Sequence, residues 1–343
     1  MKRRLLTSSF FVALTFLLGC GSSPSEPGGS SWIKVSTAPW PPRHFLSGTV
    51  FNNSMWVIGG LNCTPDASVT TYFGDVWTSG DGVNWTQTLS TASSPFGIRY
   101  GHRVLSLNGK MYLIGGNSGA PKNDVWSSTD GVNWTNILPN SFSPGPNQFT
   151  ARMDFGAEVF NNLLWVIGGF PDTNDVWNSP DGITWTKVLA NGNATPTHFH
   201  KRWGQSTAVL NNKLYVIGGA SGGPPATASS EGYQDVWSSP DGITWTQVYP
   251  GSSFGALYYH QSVVNNNKIW LTCGWGWPLW GARDWVGSSP DGANWTFYPK
   301  PPFPARFYHL SLSFNGAVWI MGGMGADNPP GTRVFFNDVW ESQ

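Results

Sequence analysis

The chain has 343 residues, 40% hydrophobic and 15% aromatic, enough apolar surface for a sizeable core. Only 11% of residues are charged, 19 basic against 19 acidic, and no basic run could neutralise phosphates, so nucleic acid is not an expected partner. Its 42 glycines and 26 prolines suit tight turns, and no stretch past residue 31 places apolar residues at helical spacing, which predicts an all-β body.

Lys2, Arg3 and Arg4 begin the chain, and the mostly apolar stretch Leu5 to Leu18 is too short and wrongly flanked to span a bilayer. Leu17-Leu18-Gly19-Cys20 resembles the lipobox of bacterial lipoproteins. The resemblance implies a signal peptide over 1–19, cleavage before Cys20, and acyl chains on that cysteine. An ordinary secretory signal with an incidental cysteine is the alternative. Residues 20–30 then form a lipidated cysteine and a flexible Gly/Ser/Pro tether. Gly21, rather than Asp, after the cysteine is similar to lipoproteins sorted to the outer membrane. The expected location is the cell envelope, with the lipid anchor as the only membrane contact. An exported body could form a disulfide, but spacing alone does not bring Cys63 and Cys273 together, and both are expected to be unpaired.

From residue 31 onward one pattern recurs. An apolar strand ends in Gly-Gly at 55–60, 111–116, 164–169, 214–219 and 318–323, with IWLTCG as a variant at 269–274. A loop follows, then Asp-Val-Trp at 75–77, 124–126, 175–177, 235–237 and 338–340, altered to Asp284-Trp285-Val286 in the fifth copy. Next comes a turn of the form S-x-D-G-x-x-W-T, as at Ser239 to Thr246. Asp-Gly supplies the positive φ of a tight hairpin, and Asn-Asn or Asn-Gly pairs such as Asn52-Asn53 and Asn108-Gly109 do the same one turn earlier. The second glycine positions, 60, 116, 169, 219, 274 and 323, are 49 to 56 residues apart. On these residues the body, 31–343, is similar to kelch-repeat proteins. The resemblance implies a six-bladed kelch-type β-propeller, each blade a four-stranded sheet whose faces are buried only by stacking on its neighbours. The chain stops after the third strand of the last blade, while Trp32-Ile33-Lys34-Val35 reads like a fourth strand, so residues 31–36 are expected to complete that blade and close the ring.

Residues that recur once per blade are structural by default, and departures from the repeat are where function is sought. Trp40, Trp203, Trp275, Trp277 and Trp280 fall outside the repeated tryptophan positions, in connections that emerge on one face. Arg43, Arg99, Arg152, Arg202 and Arg306 form a column, with Leu257 in the fifth blade; three residues later come Leu46, His102, Phe155, Gln205, His260 and His309. The same mouth, with Tyr258, is therefore the expected ligand-binding surface. Repeat-encoded packing is an equal reading for the arginines, and a self-packed lid is the bland one for the loop tryptophans. The histidines are too dispersed over the blades for a metal site, and His198-x-His200 offers two ligands at best, so neither metal nor cofactor is expected.

The S-x-D-G-x-x-W turn is similar to the Asp-box of sialidases, a structural hairpin in that family, and implies no sialidase activity. Asp154 and Glu158 are the acids that break the pattern of the first strands. Kelch propellers include a periplasmic sialic-acid mutarotase that works by acid–base proton transfer, and by that analogy these acids could serve in catalysis. The copper-radical oxidase of galactose is another relative, but its two Tyr, two His and Tyr-linked Cys cannot be assigned here. Two functions follow. The first is a monomeric, non-catalytic module binding a carbohydrate or protein at the aromatic mouth. The alternative is a sugar-modifying enzyme, mutarotase- or epimerase-like, built on Asp154 and Glu158.

Overall fold

The computed structural model describes residues 31–64, 68–222, 231–251, 255–276, 281–298, 300–325 and 333–343. Among them, six four-stranded antiparallel sheets and three small strand flaps make up the regular structure, together with one 3-10 turn, Thr91–Ser93. This is an all-β architecture of the β-propeller kind. No helix among these residues is long and apolar enough to cross a membrane.

Sheet one is Ser47–Phe51, Ser54–Cys63, Thr70–Ser79 and Thr86–Leu89 in spatial and sequence order. The first strands of sheets two to six are Arg103–Leu107, Gly156–Phe160, Ser206–Leu210, Gln261–Asn265 and Leu310–Phe314. Each first strand lies against those of two other sheets, and that of sheet one touches that of sheet six. In sheet six the outermost strand comes from the other end of the chain. Trp32–Thr37 pairs with Asp338–Ser342, from Trp32 opposite Ser342 to Thr37 opposite Asp338. The expected segment, 31–36, is thus displaced by one residue.

Two backbone hydrogen-bond circuits run through all six repeats. In the inner one, Phe45 N–H donates to Tyr308 O, Tyr308 to Tyr259, Tyr259 to Gly204, Gly204 to Asp154, Asp154 to Gly101 and Gly101 back to Phe45, at 2.7–3.2 Å. All six residues have left-handed φ, between 54° and 63°. In the second, the N–H of Gly60, Gly116, Gly169, Gly219, Gly274 and Gly323 donates to the carbonyl of Arg99, Arg152, Arg202, Leu257, Arg306 and Arg43 respectively, tying each sheet to the next. This explains the double glycine. A Cβ on Gly59, the residue before the donor, would lie 2.4 Å from the Arg99 carbonyl oxygen, and its φ is +62°.

The Asp-Gly turns serve the packing between sheets. The Asp81 carboxylate accepts from the N–H of Val83 and Asn84, and the Ser79 hydroxyl accepts from Gly82 N–H. A Cβ on Gly82 would sit 2.1 Å from the Trp319 ring of sheet six, and Gly131 stands in the same relation to Trp56 of sheet one. The turn glycine thus seats the aromatic residue of the neighbouring Gly-Gly strand. Apolar clusters lie between adjacent sheets: Ile58 with Leu113, Ile114 with Val166, Ile167 with Val216, Ile217 with Leu271, Trp270 with Val318, and Met321 with Val57. Cys63 and Cys273 are buried free thiols.

Candidate functional site

The arginine column is turned inward. Arg43, Arg99, Arg152, Arg202 and Arg306 are at most 2% exposed. They pair with Asp75, Asp124, Asp175, Asp235 and Asp338, the Asp of each Asp-Val-Trp strand, at 2.6–2.7 Å. Each guanidinium also donates to the carbonyl of the first glycine of its Gly-Gly pair, at 2.7–3.1 Å. The second oxygen of each Asp accepts from the indole N–H two residues on. Ligand contact by these five arginines is therefore corrected: every copy is a buried clasp holding the second and third strands of its sheet to the connection that precedes the first strand. Sheet five lacks it. Leu257 replaces the arginine, and Asp284 pairs with the exposed Lys300 at 2.8 Å.

Five of the six histidines are also internal, and His200 is exposed. His102, His260 and His309 are at most 1% exposed, and burial drives all three below the ordinary imidazole range, His260 to about 3. The Nε2 atoms of His260 and His309 bond Ser206 Oγ and Thr272 Oγ1 at 2.8 Å, linking neighbouring sheets. His198 bonds the Asn174 carbonyl, and His200 stacks on Tyr233. Trp40 and Trp203 are sealed as well. Trp40 packs edge-on against Trp85, and Trp203 N–H donates to Gly222 O at 2.6 Å. Tyr258 is 4% exposed and packs edge-on against Trp203. Trp40, Trp203 and Tyr258 are thus packed inside the mouth and not exposed on it as expected, while His260 and His309 line the small axial cavity. Trp275 is half-buried against Phe307, while Trp277 and Trp280 lie outside the described residues. No group of three or more His, Cys, Asp or Glu among the described residues could hold a metal.

What the fold does bring together lies on the axis. Of the six residues in the inner circuit, three are aromatic. Phe45, Tyr308 and Tyr259 meet as tilted rings, at 33° and 42° with centroids 3.5 and 3.8 Å apart, forming a cap. Trp203, Tyr258, Phe307 and Trp275 pack around it in one cluster. Asp154 sits in the same circuit between Gly101 and Gly204. Its left-handed φ of 54° is a conformation that Asp tolerates better than most residues. Beneath the cap is a cavity of about 20 Å³ lined by Asp154, Arg103, Gln205, Gln261 and the two tyrosines. Asp154 Oδ2 and Gln205 Oε1 are buried without a hydrogen-bond partner. Further along the axis the channel widens to about 180 Å³, where Arg103 and Glu158 face it. It then widens to about 290 Å³ at the level of Glu158, Val50, Val264 and Ser313.

Burial pushes the Asp154 carboxyl up to about 7, against the pull of the Arg103 guanidinium. Burial likewise pushes Glu158 up to about 8, although the Thr207 hydroxyl and Arg103 draw it down. Asp154 and Glu158 therefore share one cation, and both change protonation near neutral pH. Arg103 was not singled out from the sequence. The signal was there: aligned first strands carry Ser47, Gly156, Ser206, Gln261 and Leu310 at its position, so it breaks the repeat as the two acids do.

These raised values carry a stability signature. At these two groups the folded chain binds more protons than the unfolded chain between about pH 4 and 8, so their contribution to stability falls as pH rises through that window. Asp154→Asn is expected to melt higher than the parent at pH 8 and close to it at pH 4.5. Differential scanning calorimetry at the two pH values checks this, and parallel pH profiles for parent and variant would contradict it.

The sheets and their axial channel define the class, a β-propeller. A solved structure described as that of YjhT superposes with a TM-score of 0.63 and 16% sequence identity over 89% of this chain and 96% of that one, a likeness of fold. No protein-family model matches the chain, and no curated protein matches it.

Proposed function

We propose that this chain is a six-bladed kelch-type β-propeller, closed by its N-terminal strand, that performs acid–base chemistry on a sugar ring at the axis. The observation that carries the reading is the axial group itself. Two carboxyls whose protons exchange near neutrality share one half-buried guanidinium on the axial channel. One carboxyl can hold a proton while the other accepts one, the division of roles that general acid–base catalysis requires. Non-catalytic binding of a carbohydrate or protein at the aromatic face is the second reading, favoured by the half-buried Phe45, Tyr100 and Trp275 on that cap.

NMR exchange spectroscopy of reducing sugars with the full chain separates the two. The expected result is accelerated interconversion of anomers, reduced about 100-fold or more by Glu158→Gln or Asp154→Asn. Binding without turnover favours the second reading, and turnover indifferent to both substitutions removes the axial acids from the chemistry.

The proposed setting is the cell envelope, with the body held to the outer membrane by acyl chains on Cys20. Cys20→Ser is expected to move the protein from the membrane fraction to the soluble fraction. Retention in the membrane fraction would refute the anchor.

A further inference from the structure

The axial channel has unequal ends. At the cap, Phe45, Tyr308 and Tyr259 are in close tilted contact, and the space beneath them, about 20 Å³, holds about one water. At the other end, beside the Asn turns that join first to second strands, the space is about 290 Å³. That is near the lower limit for ligand pockets, ~300–1,000 Å³, and suits a single ring rather than a chain of them.

The wall at the wide end has a definite polarity. Ser262 Oγ donates to the Thr207 carbonyl at 2.6 Å, and Ser313 Oγ donates to Asn265 Oδ1 at 3.1 Å. Those two serine hydroxyls spend their only hydrogen on the protein and keep lone pairs free. The wide end therefore offers acceptors at Ser262 and Ser313, with the Thr49 and Thr207 hydroxyls and the Glu158 carboxyl in the same wall, while the Arg103 donors lie deeper along the axis.

We propose that the ligand is a small polyol, a single sugar ring or cyclitol, admitted through the wide end and held there by donating hydroxyl hydrogens to Ser262 and Ser313. The aromatic cap stays shut throughout. This rests on the axial site proposed above and adds the direction of access and the hydrogen-bond polarity of the substrate. It reverses the face that the sequence suggested.

Thiol labelling of the full chain tests it. Ser262→Cys, midway along the channel, is treated with a small methanethiosulfonate and read at residue 262 by peptide mass spectrometry; native Cys63 and Cys273 are buried. Adding Thr49→Trp at the wide end is expected to slow labelling at least tenfold, with Ser313→Trp as the second blocking variant. Adding Phe45→Ala at the cap is expected to leave the rate unchanged. Labelling that ignores both tryptophans but accelerates with Phe45→Ala would overturn the direction of access. In the unblocked Ser262→Cys chain, myo-inositol or glucose is expected to slow labelling at least threefold, whereas a polyether dimethyl ether, which has no donors, does not. Equal protection by the polyether, or none by the polyols, would overturn the polarity. Protection by polyols without any sugar turnover would sink the acid–base reading alone, and turnover with access through the cap would sink this proposal alone.

Discussion

Arg152→Met is expected to lower the melting temperature by about 10 °C, because it strips a buried carboxylate of its partner. All five N–H groups of Arg152 are used. Nε donates to the Thr150 carbonyl, Nη1 to Gly168 O and Asp175, and Nη2 to Thr150 Oγ1 and Asp175, at 2.7–3.1 Å. Asp175 also accepts from Trp177 at 2.8 Å, so it is built to stay ionised. Burial works against that charge, but the pairing with Arg152 and the Trp177 hydrogen bond outweigh it and hold the carboxyl below its ordinary range. Removing one partner of a buried pair costs about 3–5 kcal/mol, and a domain of this size shifts by about 2–4 °C per kcal/mol. Arg152→Met with Asp175→Leu is expected to recover much of the loss, since no uncompensated charge remains. Calorimetry at pH 7 checks both, and a single variant that melts with the parent would rule out the clasp as a stabilising device. Asp175, Asp235 and Asp338 all sit below the ordinary carboxylate range, so their stabilisation is present at neutral pH. It fades only as the medium is acidified below about pH 4 and these carboxylates are titrated.

The second large effect is expected from the N-terminal strand. Deleting residues 21–37 should lower the melting temperature sharply and promote aggregation, whereas deleting 21–30 should leave it near the parent value. The longer deletion uncovers the edge of Asp338–Ser342 and takes away Trp32, which is 6% exposed and packs edge-on against Phe303 at 5.0 Å. It also removes the Ser36 hydroxyl that donates to Gly82 O of sheet one at 2.8 Å, a bond joining the last sheet to the first. An unpaired edge presents a row of free backbone groups to other chains. Thermal melts followed by light scattering of the two truncations decide the matter; coincident curves would show that the strand is dispensable.

The clasps illustrate how far a linear reading reaches. The arginine column and the Asp-Val-Trp column were both visible in the sequence, yet nothing in their spacing paired Arg43 with Asp75 across 32 residues. Buried ion pair and ligand contact are the same residue types until burial is known. His260 and His309 posed the same ambiguity and carry both outcomes, bonding a neighbouring sheet while lining the axial cavity. Asp154 and Glu158 were found because they depart from the repeat. Arg103 departs equally but stands beside His102, and only its approach to both acids gives it meaning.

From the sequence alone came whatever is local and repeated: the strands, whose apolar runs end in Gly-Gly, and the turns, where Asn and Asp-Gly accept left-handed φ at little cost. The pairing of residues 32–37 with the chain's other end was legible too, since a missing strand and a spare one were both in view. The tertiary structure alone decided which side chains face solvent and which end of the channel is open. Those properties arise where first strands some 50 residues apart in the chain converge on one axis. A residue's neighbours there belong to other sheets, so no local pattern encodes them.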